Sequence, residues 1–544
     1  MKIILHVLSI CFFLLFIDCQ AKDSPLELPK LSLKNSDKSK SFLKDNKPVN
    51  VFSSYGFSDL YAGRNLKIKN TSSLNSVNYI RKDFPDFGIK NNPGINGFTG
   101  LTGKKKSDYI PWESKKRFGV AVGELMIVEL IPWLLSRYIV QFPDSTLNWA
   151  KVSLPSWWYN IETGYVYDGD NFKTNYFAHP YHGNLYFNSG RTNGYDFWAS
   201  TGFAFAGSYL WEMLAEINLP SINDLVNTTL NGISLGEVTY KLAVLITDNK
   251  ARGSERMWQE IFGTIVNPVR GFNRIISGEV SRNFANPENR KPENFDLSLE
   301  AGVRGMTRDS KGTDFLSNNV QSGIFGLKIR YENKFKDGFS NPFSNFRFTM
   351  EIASDTPHFT MLQSLGQLFG WKLYDSKKTQ HTFVTSLNYS YVNNPSFLFG
   401  AATIIPQLKS DFILSKKWGV TTNVGVNLIA MGGTPNDYFV DETDGRNYDF
   451  GPGLGLVTDA ILKTKNWEYF KMYYIINRLW TESEPSGSKH LLQSFIAEAQ
   501  FPLKDYFAIG VSGGFYSRKS TYPDNPEVTF ITPIMRLFFK TRIL

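Results

Sequence analysis

Cysteine is nearly missing from this sequence: 544 residues contain two, Cys11 and Cys19. Removal of the N-terminal segment would leave none, which excludes disulfides, thiol catalysis and cysteine-type zinc sites together. Packing then has to supply the stability. Nor does one sign of charge greatly outnumber the other, with 59 Lys and Arg against 50 Asp and Glu. A net charge of +9 is modest for this length, and much of the excess lies in a lysine-rich stretch near the N-terminus, so nucleic acid is not an implied partner. No Gly-x-Ser-x-Gly nucleophile elbow occurs near the histidine-rich segment described below, which leaves Ser189 and Ser208 as placeholders for a hydrolase nucleophile.

What the sequence has in excess is aromatic residues, 15% of the total, beside a mean hydropathy of only -0.25. Many rings without overall greasiness is the balance of a membrane β-barrel, whose lipid-facing residues alternate with polar lumen residues. The N-terminus (MKIILHVLSICFFLLFIDCQAKDS) has one early lysine, an apolar run from Ile3 to Ile17 and a small-x-small pattern at Cys19-Gln20-Ala21. A secretory signal peptide, residues 1–21, with cleavage after Ala21 is expected. The alternative is lipidation at Cys19, where Asp18 occupies a position that calls for a small residue. Residues 22–112 are Lys/Ser/Asn-rich and then turn-rich, and are expected to form a disordered N-terminus and linker.

Residues 113–290 carry helical periodicity and are expected to form a helical domain. Phe118 to Val140 is long enough to span a bilayer, yet it contains Glu124, Glu129 and Pro132. Each carboxylate at membrane depth costs about 2.5 to 3.5 kcal/mol, so a buried helix with its glutamates turned to polar partners is expected. Further helices are expected over Asp196 to Ile217, Asp224 to Thr247 and Arg256 to Ile276, the last broken near Pro268. Gly202, Ala206, Gly232 and Gly236 would let backbones approach closely.

Near Asn294 the period changes to two. In LSLEAGVRG, Leu297, Leu299, Ala301 and Val303 alternate with Ser298, Glu300, Gly302 and Arg304; NFRFTMEIA and VTTNVGVNLIA alternate likewise. Comparable runs lie near 321–333, 380–392, 396–404, 408–416, 453–463, 467–478, 490–501, 505–517 and 527–541. The expected fold is therefore α+β: a helical domain followed, over 291–544, by an antiparallel transmembrane β-barrel of about 12 strands. Charged residues at inward positions (Glu300, Arg304, Lys328, Arg330, Glu332, Arg347, Glu351) argue against a soluble barrel, which needs an apolar interior. The final residue, Leu544, departs from the terminal aromatic expected of an assembly signal. The helices are expected under the barrel mouth rather than in the lumen.

One stretch, NYFAHPYHGNLYFNSGRTNGYDFW (175–198), concentrates two histidines, an arginine, four asparagines and eight rings. Pro180 between His179 and His182 argues for a turn there. Glu212 and Glu216 share a helix face where like charges repel, which calls for a cation beside them, from Arg191, Arg252, Arg270, Arg274, a protonated histidine or a metal. His179, His182, Glu212, Glu216 and Asp224 are the candidate catalytic residues. A zinc, iron or manganese ion on His179, His182, Glu212 and Glu216 is the corresponding metal possibility, with no cofactor otherwise expected. The structural alternative is histidines bonded to carbonyls and glutamates paired with arginine. Arg191, Asn188, Asn227, Glu237 and Glu124 are candidates for a polar network that docks helices. Ser221 fits a helix N-cap with Asp224 three residues on. Trp157, Trp158, Tyr159, Tyr165, Tyr167, Phe187 and Trp198 suit an interfacial belt or ordinary core packing equally.

Residues 168 to 283 resemble an uncharacterised bacterial family, the domain of unknown function numbered 3943. The resemblance is carried by His179-Pro180-Tyr181-His182-Gly183, Asn223-Asp224, Asn227-Thr228, Gly236-Glu237 and Asn267-Pro268. It implies a bacterial envelope protein with a helical segment before a β-rich half, and no established activity. The function expected is that of an outer-membrane barrel protein of a Gram-negative cell, structural or in transport, with outer-membrane lipid and the barrel-assembly machinery as partners. The alternative is an envelope hydrolase acting on lipid or glycan.

Overall fold

The computed structural model describes residues 109–139, 148–307, 319–441, 445–483 and 485–543. The signal segment, both cysteines, nearly all of 22–112 and Leu544 lie outside them.

From Asn294 the described chain forms twelve antiparallel strands: β1 (Asn294–Thr307), β2 (Asn319–Glu332), β3 (Phe346–Ala353), β4 (Phe359–Asp375), β5 (Thr379–Asn394), β6 (Phe397–Ile413), β7 (Gly419–Pro435), β8 (Tyr448–Lys463), β9 (Glu468–Trp480), β10 (Lys489–Lys504), β11 (Phe507–Thr521) and β12 (Val528–Arg542). They pair in chain order, and β12 closes on β1. Two errors in the sequence expectation cancel in that count. The runs 396–404 and 408–416 are one strand, β6, which passes straight through Pro406. Strand β4 was not anticipated, because register shifts at Gln367/Phe369 and Lys372/Tyr374 break its alternation.

Alternation assigns the two faces of the wall. Glu300, Arg304 and Glu351 point inward and are buried. Val303, Val424, Val426, Leu428, Leu454, Leu456, Met535 and Leu537 point outward and are exposed, Val424 at 57% and Leu537 at 55%. The lumen is crossed near both ends. At the end holding the chain termini, Arg330 of β2 meets Glu468 of β9 at 2.9 Å. At the opposite rim, the rings of Phe397 (β6) and Tyr516 (β11) stack 4.6 Å apart. There the β5–β6 turn also reaches across, Ser396 Oγ donating to the Thr307 carbonyl at 2.7 Å.

The helical part comprises α1 (Phe118–Tyr138), α2 (Leu154–Thr163), α3 (His179–Arg191), α4 (Phe197–Leu210), α5 (Ile222–Val226), α6 (Gly232–Ile246), α7 (Gly253–Val266) and α8 (Pro268–Ile276). Three single π turns interrupt it, Thr174–Ala178, Trp211–Ala215 and Asn227–Asn231. These helices neither sit under the mouth nor enter the lumen; they lie on the outer wall. Outward residues Leu327, Ile329 and Tyr331 (β2), Phe346, Phe348 and Met350 (β3), Leu362 (β4) and Leu387, Tyr389 and Tyr391 (β5) are buried in one cluster with Phe172, Tyr176, Phe187, Phe197, Ile233, Val238 and Leu242. The lumen is occupied by its own ion pairs, whereas this third of the wall carries large rings that need partners.

The α1 helix does turn Glu124 inward, where its Oε2 accepts from Asn193 Nδ2 at 2.7 Å and Asn273 Nδ2 at 3.3 Å. It is not a buried helix, however. Its other face, with Val122, Met126, Ile127, Leu130, Ile131 and Leu134, is exposed.

Candidate functional site

The two acidic loops of the helical part are brought side by side by a short parallel bridge. The Val166 amide donates to the Pro220 carbonyl at 2.8 Å, and the Ile222 amide donates to the Val166 carbonyl at 2.9 Å. Asp168 and Asp170 thereby face Ser221 to Asp224. Ser221 is the N-cap of α5, its hydroxyl accepting from the Asp224 amide at 3.2 Å, as the sequence spacing suggested. Asn223 ties the loops together. Its Nδ2 donates to Asp168 Oδ1 at 2.7 Å and to Asp224 Oδ1 at 3.0 Å.

His179 enters this cluster at the first turn of α3. Pro180 does not make the expected turn, because a proline in a helix's first turn removes only an N–H that has no helical partner. The π turn before it runs straight into α3. His179 Nε2 lies 3.8 Å from Asp170 Oδ2 and 3.5 Å from Asp224 Oδ1. The barrel fixes the approach: Tyr389 Oη donates to the Tyr176 carbonyl at 2.7 Å, and Tyr448 Oη donates to the Asp170 carbonyl at 3.0 Å while accepting from Asn175 Nδ2 at 2.6 Å. Tyr448 opens β8 at the rim away from the termini, so the cluster sits level with the strand ends and beyond the apolar band.

Glu212, in the second π turn, accepts from the Ser221 amide at 2.8 Å. Burial pushes its carboxyl up to about 8, the charge of His179 offsetting part of that rise. Glu216 and Asp224 are raised well above the carboxylate range, first by burial and then by neighbouring acids, Glu212 for the one and Asp168 for the other. Burial opposes charge on His179, but Asp170 beside it and the other nearby carboxylates outweigh it, and the net shift is upward. Among the described residues no arginine pairs with Glu212 or Glu216, and burial disfavours charge on both. Single π turns recur at functional sites, and all three among the described residues adjoin this cluster, directly before His179, at Glu212 and three residues after Asp224.

The expected grouping of His179 with His182, Glu212 and Glu216 around one ion is not found. His182 turns away, with Nε2 3.4 Å from the Val128 carbonyl and Nδ1 3.4 Å from Tyr186 Oη. Burial, then the neighbouring His179, push its pKa down to about 3. Among the described residues, the His/carboxylate group close enough to share an ion is Asp170, His179 and Asp224. Asp168 and Asp170 were missed in the sequence, although the Asp-Gly-Asp spacing at 168–170 was a visible signal.

The network candidates lie elsewhere. Arg191 ends α3, twelve residues and roughly 18 Å from His179. Its Nε donates to Glu237 Oε2 at 2.8 Å, and Lys241 lies 3.4 Å from the same carboxylate. Asn188 Nδ2 donates to the Gly236 carbonyl at 3.2 Å, while its Oδ1 accepts from Asn267 Nδ2 at 2.7 Å. Asn227 accepts from Asn231 Nδ2 at 3.3 Å. The aromatic candidates divide: Phe187 is buried, Tyr167 packs on Phe450 of β8, and Trp158, Tyr159 and Trp198 are exposed.

Residues 164–269 match the family described as "Domain of unknown function (DUF3943)". No curated protein matches the chain. Among solved structures, the barrel is similar to the NanC porin (11% identity, 45% of this chain and 98% of that one, TM-score 0.24). It is similar also to the outer membrane channel DcaP of Acinetobacter baumannii (9%, 46% and 96%, TM-score 0.21) and to the KdgM porin (9%, 45% and 98%, TM-score 0.20). The closed barrel itself rests on the strand register above.

Proposed function

For a chain that carries the 3943 domain of unknown function on the flank of a closed twelve-stranded barrel, we propose an outer-membrane protein of the bacterial envelope whose barrel is a scaffold and whose helical domain holds the working site. The outward band on β7–β12 is apolar and the lumen is charged, the inverse of a water-soluble barrel. The exposed face of α1 continues that band. Its 21 residues extend roughly 32 Å, the depth of a bilayer. In this reading the strands and α1 span the membrane, the signal segment exports the chain, and the site lies at the membrane–water interface. Most turns at the terminal end are short and most at the other are longer, which in such barrels marks the latter as extracellular.

The observation that carries the reading is the position of the helices. Stacked on the outer wall, they hold Asp170, His179 and Asp224 level with the strand ends at one rim, which in this reading is headgroup height, and a lumen bridged near both ends leaves little for them to gate. The substrate class that fits is the polar head of an envelope lipid or lipid-linked glycan, engaged at Asp170, His179 and Asp224. Transport remains the second reading, favoured by lumen cavities of about 240 and 350 Å³ lined by Arg347, Gln363, Asp459 and their neighbours.

The membrane placement is tested with nitroxide labels at Ile127→Cys (α1) and Val426→Cys (β7) in proteoliposomes. Both should collide with dissolved oxygen and be shielded from a water-soluble nickel chelate. A label at 127 that meets the chelate while the one at 426 does not would remove the helical domain from the bilayer. For the chemistry, mass spectrometry of envelope lipids incubated with the protein should show a product that Asp224→Asn abolishes. No product from wild type would leave the scaffold without a reaction.

A further inference from the structure

We propose that Asp170, His179 and Asp224 bind a divalent transition-metal ion. The inference deepens the proposed function, resting on the same site, and concerns a ligand set that differs from the one the sequence suggested. The three ligand atoms all lie within 4.8 Å of one another. The Nε2 separations of 3.5 and 3.8 Å exceed a hydrogen bond, and that nitrogen is buried with no hydrogen-bond partner although it points at both carboxylates. A metal seated among three such atoms is on the order of 2 Å from each, the length of a bond to imidazole or carboxylate.

Charge and support agree with this. Asp168, Glu212 and Glu216 lie near the triad, and the charged neighbours that act most on Asp224, Glu212 and Glu216 are other acids and His179, not lysine or arginine. An excess of carboxylates in a buried place calls for a cation. The outer partners of the ligands are in place, with Asn223 on Asp224 and Tyr448 on the Asp170 backbone. One imidazole and two carboxylates suit zinc, manganese or iron(II). Three protein ligands leave a position open for water or a substrate oxygen, and His179, with 15% of its side chain exposed, marks the side from which one could enter.

The test uses the full-length protein in detergent, stripped with chelator and then titrated with Mn²⁺ or Zn²⁺ by calorimetry. One ion per chain is expected. Asp170→Asn and His179→Ala should each weaken binding by about 10- to 100-fold or more, whereas His490→Ala, in the barrel, should not change it. Folding of every variant is checked by the heat-dependent gel mobility of the barrel and by near-ultraviolet dichroism. Because a variant could lose the helical domain altogether, wild type is also examined with Mn²⁺ by pulsed electron resonance, where coupling to a single imidazole nitrogen is expected. Wild type that binds no ion at 100-fold molar excess, binding indifferent to both variants, or a manganese signal without nitrogen coupling would each overturn the proposal. The label experiment above is independent of metal, so failure here would leave the membrane placement standing.

Discussion

Tyr448, the first residue of β8, donates its hydroxyl hydrogen to the backbone carbonyl of Asp170, 278 positions earlier in the chain, at 3.0 Å. A barrel strand thus holds one wall of the helical site. If this face of the barrel stands in lipid, apolar contact alone would add little specificity, since tails compete on equal terms with side chains. Position must then be set by polar contacts such as this one, Tyr389 to Tyr176, and the paired hydroxyls of Ser234 and Ser364.

Tyr448→Phe should therefore loosen the site without unfolding the barrel. It leaves the Asp170 carbonyl and the Asn175 amide without this partner, a cost of about 1 to 3 kcal/mol. Limited proteolysis should cut the helical domain faster, while the heat-dependent mobility shift of the barrel stays as in wild type. Equal loss of both would mean that barrel and helices fold as one unit.

Glu212→Gln should be neutral or stabilising. With its carboxyl raised to about 8, Glu212 is largely protonated at neutral pH, and glutamine keeps an oxygen for the Ser221 amide. The folded domain holds a proton that the unfolded chain releases above the ordinary carboxylate range. Stability contributed by this group is present at low pH and falls as pH rises through about 8. Denaturation of the metal-free protein between pH 6 and 9 should show that decline in wild type and a flatter profile in Glu212→Gln. Glu212→Ala, which strands the Ser221 amide, should cost about 1 to 3 kcal/mol at either pH.

Period-two alternation made the barrel legible, because the inward charges Glu300, Arg304 and Glu351 and the outward Val424, Val426 and Leu428 sort by parity alone. Strand β4 was hidden where bulges shift parity, and β6 was cut at Pro406, whose missing N–H says nothing about where a strand stops. In the site, His179, Asp224 and the Ser221 cap could be picked out by residue type. Their grouping could not: it depends on the Val166–Ser221 bridge and on π turns, which rotate His179 toward Asp170 and His182 toward Val128. Nor could the sequence say that the apolar faces of β2–β5 meet helices and not lipid, since both partners demand the same side chains.

The contact between α3 and the run into α6 offers a sharper steric test. A Cβ on Gly183 would meet the Thr228 carbonyl oxygen at 1.8 Å, and on Gly232 it would meet the Gly183 backbone at 2.5 Å. Gly183→Ala should destabilise the helical domain at or above the upper end of the usual overpacking range of about 1 to 3 kcal/mol. Gly202, singled out in the sequence for the same role, has open space around its Cβ position. Gly202→Ala in α4 should instead be stabilising, by about 0.5 to 1 kcal/mol, from helix propensity alone. Chemical denaturation followed by near-ultraviolet dichroism distinguishes the two.

Conductance separates a scaffold from a pore. Among the contacts that cross the lumen are the Phe397–Tyr516 stack and the Ser396–Thr307 hydrogen bond near one rim and the Arg330–Glu468 and Lys328–Glu498 pairs toward the other. Wild type in planar bilayers should therefore show no steady conductance. Phe397→Ala removes the ring stack and leaves the other crossings, so it should stay silent, as should Arg330→Gln. The double variant removes a contact toward each end of cavities of about 240 and 350 Å³ that adjoin the same lumen residues, among them Arg347 and Asp459, and of the three variants it is the one expected to conduct, in discrete steps. Arg330→Gln leaves Glu468 short of one of its cations, so its insertion has to be verified by the mobility shift before silence is interpreted. A stable open channel in the wild type would mean that these contacts part readily, and would move the working function from the helical flank to the lumen.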